Sequence, residues 1–172
     1  MNNRGKFLIV LMLFSALGCG YRLVGVGSVL PAYIKKIHIP YFINETPRFE
    51  LEQRLTEHVQ REFTTRGRLT LVDSWDIADA VLEASVTRFE VLPVGFNAQT
   101  QANRYLVTIE IKAKLLDTHT NRSLWESQNF VFRTEYESPE VIEDYYNQEI
   151  EAIEAIAENF SQTLVATITQ GF

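Results

Sequence analysis

Hydrophobic and polar residues alternate through the centre of the chain with the two-residue period of a β-strand. Between residues 107 and 115 every second residue is apolar, and the residues between them are Thr, Glu or Lys. Residues 81–91 and 124–132 are rich in β-branched and aromatic side chains and predict neighbouring strands, while residues 37–42 predict a shorter one. The alternation slips at Gln128-Asn129, which predicts a β-bulge there.

Two other segments have the helical period. In the first, Leu51, Leu55, Val59 and Phe63 recur at every fourth position and predict one apolar helix face. Thr46-Pro47 is typical of a helix start, because Thr caps free N–H groups and Pro suits the first helical position. Ser138-Pro139 has the same pattern before a second helix. Its apolar stripe includes Ile150, Ile153, Ala157, Phe160 and Leu164.

The resulting element order is β-α-β-β-β-α, with residues 69–72 as a further extended stretch. This order predicts an α+β two-layer sandwich in which the helices stack on one sheet. The 172 residues suffice for one domain with its own core. Sixteen Lys and Arg against 22 Asp and Glu give a net charge of -6, which argues against an electrostatic nucleic-acid binder.

The first nineteen residues indicate export and lipidation. Arg4 and Lys6 precede an apolar run over residues 7–17, which is too short to span a bilayer and is typical of a signal peptide. The run ends at Gly18-Cys19, and Cys19 is the only cysteine of the chain. We expect residues 1–18 to be removed, Cys19 to be acylated, and residues 19–36 to lead into a single domain over 37–172. A buried free cysteine is the alternative reading.

Catalytic and metal-binding patterns are missing from the sequence. The three histidines, His38, His58 and His119, lie far apart along the chain and form no metal-ligand spacing. There is no phosphate-binding glycine loop and no nucleophile elbow. We expect no enzyme activity, no metal and no cofactor. The acidic residues of the second helix predict a solvated face rather than a metal site.

Several sequence stretches resemble the LptE family of lipopolysaccharide-assembly lipoproteins. The resemblance begins with Cys19-Gly20-Tyr21 and continues through residues 37–46 and the helix after them. Further similar stretches are Ala78-Asp79-Ala80-Val81-Leu82, Arg104-Tyr105, Leu116-Asp117 and Leu124-Trp125. The resemblance implies a four-stranded, mostly antiparallel mixed sheet packed by two helices. It implies a non-enzymatic lipoprotein on the periplasmic side of the outer membrane. It also implies that the protein partners and plugs LptD, a β-barrel that delivers lipopolysaccharide, one to one, and that it binds lipopolysaccharide.

No defined motif marks a lipopolysaccharide site, so its position is inferred from charge. Residues 84–134 have a positive balance in this acidic chain, and lipopolysaccharide is anionic. We expect Arg88, Arg104, Lys112 and Lys114 to contact it. Lys112 and Lys114 share a strand face, which suits paired phosphates. The alternative is a solvated sheet face in which Glu110 offsets the two lysines.

Residues 94–103 carry no charge and separate two strong strands. They predict a loop longer than a tight hairpin needs, with Phe96 as an apolar anchor and Asn97, Gln99 and Gln101 as polar contacts for the barrel partner. The alternative is a solvated loop. For the whole protein, the alternative function is that of a scaffold lipoprotein in another envelope assembly, such as a secretion or pilus channel. A hydrolase is disfavoured, because the sequence lacks a nucleophile–base pair.

Overall fold

A computed structural model describes residues 30–66, 69–138 and 142–170, and within the last helix the side chains of residues 147–169. The strands are β1 (Lys36–His38), β2 (Ile43–Asn44), β3 (Thr70–Val72), β4 (Ala80–Phe96), β5 (Ala102–Asp117) and β6 (Arg122–Glu137). The helices are α1 (Leu51–Arg66) and α2 (Ile142–Gln170), with a short 3-10 helix at Trp75–Ile77. Cys19 and the predicted signal peptide lie outside the described residues.

Within the described residues the sheet has six strands in the order β3-β1-β4-β5-β6, with β2 also paired to β4. The short strands β1, β2 and β3 pair in parallel, whereas β4, β5 and β6 form a long antiparallel meander. The mixed α+β class with two helices is confirmed, but the predicted count of four strands is wrong. The two added strands are β2, of two residues, and β3, of three. β3 lies in the stretch 69–72 that was predicted to be extended, whereas β2 is too short for alternation to reveal it.

The bulge predicted in the last strand is present. Ile111 pairs with Phe130 and Ala113 pairs with Ser127, so Gln128 and Asn129 together lie opposite a single residue of β5. A second irregularity in β4 separates the pairs of Val86 and Arg88. Each inserted residue shifts the strand's alternation, so the apolar face continues along the sheet after the break.

Helix α1 begins at Leu51, not at Thr46-Pro47 as the sequence predicted. Glu50 has a φ of 69°, in the left-handed region, so the helical backbone starts only after it. Thr46 instead belongs to a turn organised by Asn44, whose Oδ1 accepts hydrogen bonds from the backbone N and the hydroxyl of Thr46. Thr46, the predicted capping residue, therefore lies five residues before the first residue of α1.

The core lies between the helices and one face of the sheet. Leu51, Leu55, Val59 and Phe63 of α1 are fully buried, and Phe160 of α2 packs edge-on against the rings of Phe42, Phe130 and Phe132. The predicted stripe of α2 is confirmed, because Ile153, Ala157 and Leu164 are at most 1% exposed while Ile150 is half-buried. Leu30 and Ile34 also join this core.

Candidate functional site

The polar residues of the alternating β5 pattern lie on the outer face of the β4–β5–β6 meander, away from the core. On β5, Val107, Ile109, Ile111, Ala113 and Leu115 are buried against the core, so Glu110, Lys112 and Lys114 lie on the opposite face. Lys112 and Lys114 are both exposed and stand two residues apart, as predicted. Their neighbours on β4 are Ser85 and Glu83, respectively.

Three of the four predicted lipopolysaccharide-contacting cations are already paired with carboxylates. Lys114 Nζ lies 2.9 Å from Glu83, and this hydrogen bond raises the pKa of Lys114. Arg88 bonds Glu90 at 3.0 Å and Glu110 at 3.3 Å. Arg104 Nε lies 3.2 Å from Glu135. Within the described part of the chain Lys112 forms no ion pair, so it is the cation that can meet an anion without first losing a partner.

The four cations do not form one cluster. Arg104 precedes Lys112 by eight residues on β5, which at the strand rise of ~3.4 Å separates them by about 27 Å. Lys112 instead lies in a groove of about 270 Å³ on the outer face, formed where β2, β4, β5 and β6 run side by side. The groove combines the ammonium groups of Lys112 and Lys114 with the hydroxyl of Ser85, the amide of Gln128 and the exposed side chain of Ile43, and its lining also includes the carboxylates of Glu45, Glu83 and Glu126.

Half of the predicted ten-residue loop is strand. β4 continues to Phe96 and β5 begins at Ala102, so only residues 97–101 form the turn, and the loop prediction is corrected in extent. Sequence alternation stops near residue 91 because β4 has further register breaks at Pro93 and Gly95. Gly95 is required at its position, since a Cβ there would approach Cβ of Arg104 to 2.9 Å.

Asn97 organises this turn. Its Oδ1 accepts hydrogen bonds from the backbone N of Gln99 at 3.0 Å and of Gln101 at 2.9 Å, and its Nδ2 donates to Oε1 of Gln101 at 3.2 Å. Two of the three predicted polar contacts are therefore engaged in building the turn. Gln99 is exposed and its side chain bonds none of the described residues, so it remains available.

Exposed apolar side chains cluster next to the turn. Phe96 is 59% exposed, and Leu92 and Val94, which sequence reasoning did not select, are 46% and 40% exposed. The available signal was the unbroken apolar run Val91-Leu92-Pro93-Val94, which places apolar groups on both faces of one strand. Within the described residues no strand pairs with β4 after Val86 on the side where β1 and β2 lie. The hairpin end therefore exposes apolar groups and a strand edge together, both features of protein interfaces.

The opposite end of the same hairpin is a polar network that sequence analysis also missed. Asp117 is 1% exposed and accepts hydrogen bonds from the Tyr33 hydroxyl at 2.5 Å, the Thr120 hydroxyl at 2.7 Å and the backbone N of His119 at 2.8 Å. The Tyr33 bond is the main cause that holds the pKa of Asp117 well below its usual range. Asp79 accepts from the backbone N of Lys35 and Lys36, which lowers its pKa.

A hydrogen-bonded group of His58, Arg54 and Glu154 links the two helices. Nε2 of His58 lies 2.7 Å from Glu154, which also accepts from Arg54. Burial raises the pKa of Glu154, but the hydrogen bonds from His58 and Arg54 outweigh it and lower the pKa. His58 is therefore a half-buried link between helices rather than a solvated surface residue. Among the described residues, no group of three or more His, Cys, Asp or Glu is placed to hold a metal.

Comparison with known proteins identifies the family. The family profile described as LptE, lipopolysaccharide-assembly, matches residues 34–168, which covers most of the chain. The chain belongs to the LptE family. No curated protein sequence matches it significantly. None of the helices in the described residues has the length and apolar character needed to cross a membrane. Membership in the LptE family assigns the chain to the lipopolysaccharide-assembly lipoproteins.

Solved structures share the fold at low sequence identity. Lipoprotein B from Nitrosomonas europaea is 16% identical with a TM-score of 0.59, covering 83% of this chain and 87% of that one. Rare lipoprotein B from Shewanella oneidensis is 11% identical with a TM-score of 0.51, covering 78% and 93%. The PelC dodecamer from Paraburkholderia phytofirmans is 10% identical with a TM-score of 0.51, covering 78% and 89%.

Proposed function

We propose that this LptE-family protein is a non-enzymatic outer-membrane lipoprotein that partners and plugs an LptD-like β-barrel. In this role it supports assembly of the barrel and insertion of lipopolysaccharide into the outer leaflet. The observation that carries the proposal is the hairpin end of β4–β5. There the chain exposes Leu92, Val94 and Phe96 beside an uncharged turn. The inner wall of a barrel partner would cover this end of the sheet.

The chemistry of this end suits a wall of mixed polarity. Covering exposed apolar side chains makes the free energy of binding more favourable by about 25 cal/mol for each Å² of apolar surface that the partner removes from water. The amide of Gln99 can donate and accept hydrogen bonds, so it can pair with polar groups without burying a charge. Gln101 and Asn97 contribute indirectly, because their mutual bonds hold the turn in one conformation.

Copurification from solubilised outer membranes tests the partner. Phe96→Ser should reduce recovery of the barrel, whereas Phe49→Ser should not. Phe49 is a control of the same residue type because it is 81% exposed but lies before α1 and not in the β4–β5 hairpin. Replacing residues 97–101 with a two-residue turn should weaken recovery further while the melting transition stays intact. Wild-type recovery by both hairpin variants would exclude the hairpin as the contact.

The same experiment separates the alternative function. An LptE-like role requires a large outer-membrane barrel in one-to-one complex with this protein. A scaffold lipoprotein of a secretion or pilus channel would instead copurify with a ring of identical subunits. Recovery of a ring and no barrel would overturn the proposal in favour of that alternative.

Lipopolysaccharide contact is proposed at the outer-face groove, centred on Lys112. Lys112 has no carboxylate partner among the described residues, whereas Lys114 is paired with Glu83. Lys112→Glu should therefore reduce glycolipid binding strongly. Lys114→Glu, which places the new charge beside Glu83, is the comparison on the same strand face and should reduce glycolipid binding less, because Lys114 is already paired. We expect added salt to weaken wild-type binding and to affect Lys112→Glu little. Binding that is unchanged in both variants would exclude the groove.

Membrane attachment is proposed to occur through Cys19. Acylation by two or three chains, palmitate included, anchors a protein stably where a single chain does not. Mass spectrometry of the native protein should find an acylated peptide that starts at Cys19, and Cys19→Ser should release a folded domain from membranes. Gly20 follows the anchor, where inner-membrane lipoproteins usually carry Asp, and this favours the outer membrane on its periplasmic side. An unmodified N-terminus elsewhere would contradict the anchor.

A further inference from the structure

The outer-face groove contains unpaired charges of both signs. Its charged lining residues are Glu45, Glu83, Lys112, Lys114 and Glu126. Lys114 and Glu83 neutralise each other at 2.9 Å. Lys112, Glu45 and Glu126 are exposed and form no ion pair with any residue in the described part of the chain. Once the one pair is set aside, the groove presents one ammonium group and two carboxylates.

The strand register places one of these carboxylates close to Lys112. Glu126 of β6 lies opposite Lys114, and Lys112 is two residues away on the same face of β5. Diagonal neighbours of this kind are about 7–8 Å apart, within reach of long side chains. Glu45 follows β2, with β4 between it and Lys112, so its carboxylate is the more distant of the two.

The bulge in β6 supplies polar groups at the same point. Gln128 and Asn129 lie opposite Lys112, and the Gln128 amide donates a hydrogen bond to Oε1 of Glu126. Bulges often re-aim a side chain next to a functional site. Ser85, which pairs with Lys112, adds a hydroxyl donor to the lining of the groove. Donors for an anion and a fixed carboxylate are therefore present side by side.

We propose that the groove binds a zwitterionic headgroup in which a short chain joins a phosphate to a primary amine, as in phosphoethanolamine. The phosphate meets Lys112 and Ser85, and the ammonium group meets Glu126. A ligand with a phosphate alone would meet the same lysine but would also face two carboxylates without compensation. This binding mode rests on the lipopolysaccharide contact proposed above and names the part of the ligand that the groove recognises.

Two kinds of lipid carry this chemistry: lipopolysaccharide substituted with phosphoethanolamine, and the phospholipid phosphatidylethanolamine. In either lipid the headgroup is attached to carbon chains. Ile43 lines the groove and is 66% exposed, so it offers those chains an apolar surface beside the charged groups. The groove therefore matches the headgroup of an amphiphile better than it matches a free inorganic ion.

Titration of the mature, lipidated protein in non-ionic detergent tests the headgroup. Phosphoethanolamine, phosphocholine or inorganic phosphate is added while NMR follows the backbone amides of the groove. Phosphocholine retains the phosphate and the positive charge but has no N–H donor. We expect phosphoethanolamine to bind about fivefold more tightly than inorganic phosphate, with phosphocholine between them. Equal affinities for phosphoethanolamine and inorganic phosphate would overturn the proposal.

Glu126→Gln removes the charge and keeps a hydrogen-bond acceptor, so it should abolish this preference without weakening the binding of inorganic phosphate. Glu135→Gln is the matched control, because Glu135 is an exposed carboxylate on the outer face of β6 that does not line the groove. It should leave the preference unchanged. Lys112→Gln should abolish the binding of all three ligands. A preference that persists in Glu126→Gln would also overturn the proposal, and the amide spectrum reports whether each variant is folded.

Three lipids separate this proposal from the lipopolysaccharide contact itself: lipopolysaccharide with phosphoethanolamine, lipopolysaccharide without it, and short-chain phosphatidylethanolamine. Tighter binding of the substituted lipopolysaccharide, lost in Glu126→Gln, would support both. Equal binding of the two lipopolysaccharides, with no preference among the small ligands, would refute the headgroup preference and leave the lipopolysaccharide contact standing. Binding of phosphatidylethanolamine and of neither lipopolysaccharide would support the headgroup preference, with a phospholipid as its source, and refute the lipopolysaccharide contact.

Discussion

The two ends of the β4–β5 hairpin differ in how their polar and apolar side chains are arranged. β4 has 17 residues, so at about 3.3 Å per residue its ends lie roughly 55 Å apart. At the Asp117 end, the buried carboxylate of Asp117 and the partly exposed carboxylate of Asp79 collect backbone and side-chain donors into a fixed network. At the hairpin end, one asparagine organises the turn and the neighbouring apolar side chains remain exposed.

The difference teaches which end is built for stability and which for contact. A buried carboxylate with several donors is costly to disturb, because each donor loses its partner when the carboxylate is removed. Exposed apolar side chains contribute little to the folded state and gain only when a partner covers them. Substitutions near Asp117 should therefore act on folding, and substitutions near Phe96 should act on binding.

The core between the two ends should give the largest effect. Phe160 is fully buried and contacts three aromatic rings, so Phe160→Ala should lower the free energy of unfolding by about 3–5 kcal/mol. Chemical denaturation of the Cys19→Ser domain measures this. If stability is unchanged but recovery of the barrel is lost, this face of α2 belongs to the interface rather than to the core.

The Asp117 network should show itself through pH. The pKa values of Asp117 and Asp79 are lowered in the folded protein, so their stabilisation is complete above the ordinary carboxyl pKa and is lost as pH falls below about 4. Asp117→Asn should lower the melting temperature at pH 7 and flatten its decline between pH 5 and pH 3. Tyr33→Phe, which removes a single hydrogen bond, should have the smaller effect. An unchanged pH profile in Asp117→Asn would contradict the network's role.

Strain at the hairpin turn predicts a smaller effect of opposite sign. Thr100 has a φ of 62°, a conformation that β-branched residues rarely adopt and glycine adopts readily. Thr100→Gly should raise the free energy of unfolding by about 0.5–1 kcal/mol, after the entropy cost of glycine is subtracted. Denaturation measures the gain, and Gln99→Gly at the adjacent turn position controls for loss of a side chain. A destabilised Thr100→Gly would mean that the threonine side chain supports the turn.

The smallest change in stability is expected at Phe96. Because its side chain is 59% exposed, Phe96→Ser should alter the free energy of unfolding by less than about 0.5 kcal/mol. The same variant is expected to weaken barrel recovery, so stability and binding should separate at this residue. A large loss of stability would show that the hairpin end is part of the core and would remove the contrast between the two ends.

The amino-acid sequence by itself determined the long antiparallel strands, the two amphipathic helices, the bulge at Gln128-Asn129 and the membership of the LptE family. These follow from periodicity and from contiguous motifs, which are local properties of a chain. The start of α1 was not predictable, because Thr46-Pro47 matches a capping pattern and only the left-handed backbone at Glu50 shows where the helix begins.

Only the tertiary structure decided which charges are free and which apolar groups are exposed. Lys112 and Lys114 are equivalent in the sequence, yet β4 places Glu83 beside one and Ser85 beside the other. Tyr33 and Asp117 are 84 residues apart and meet because β1, which follows Tyr33, pairs with the start of β4, where β5 ends. Pairing between distant segments depends on strand register, and register depends on the whole packed sheet, so no local pattern in the chain reports it.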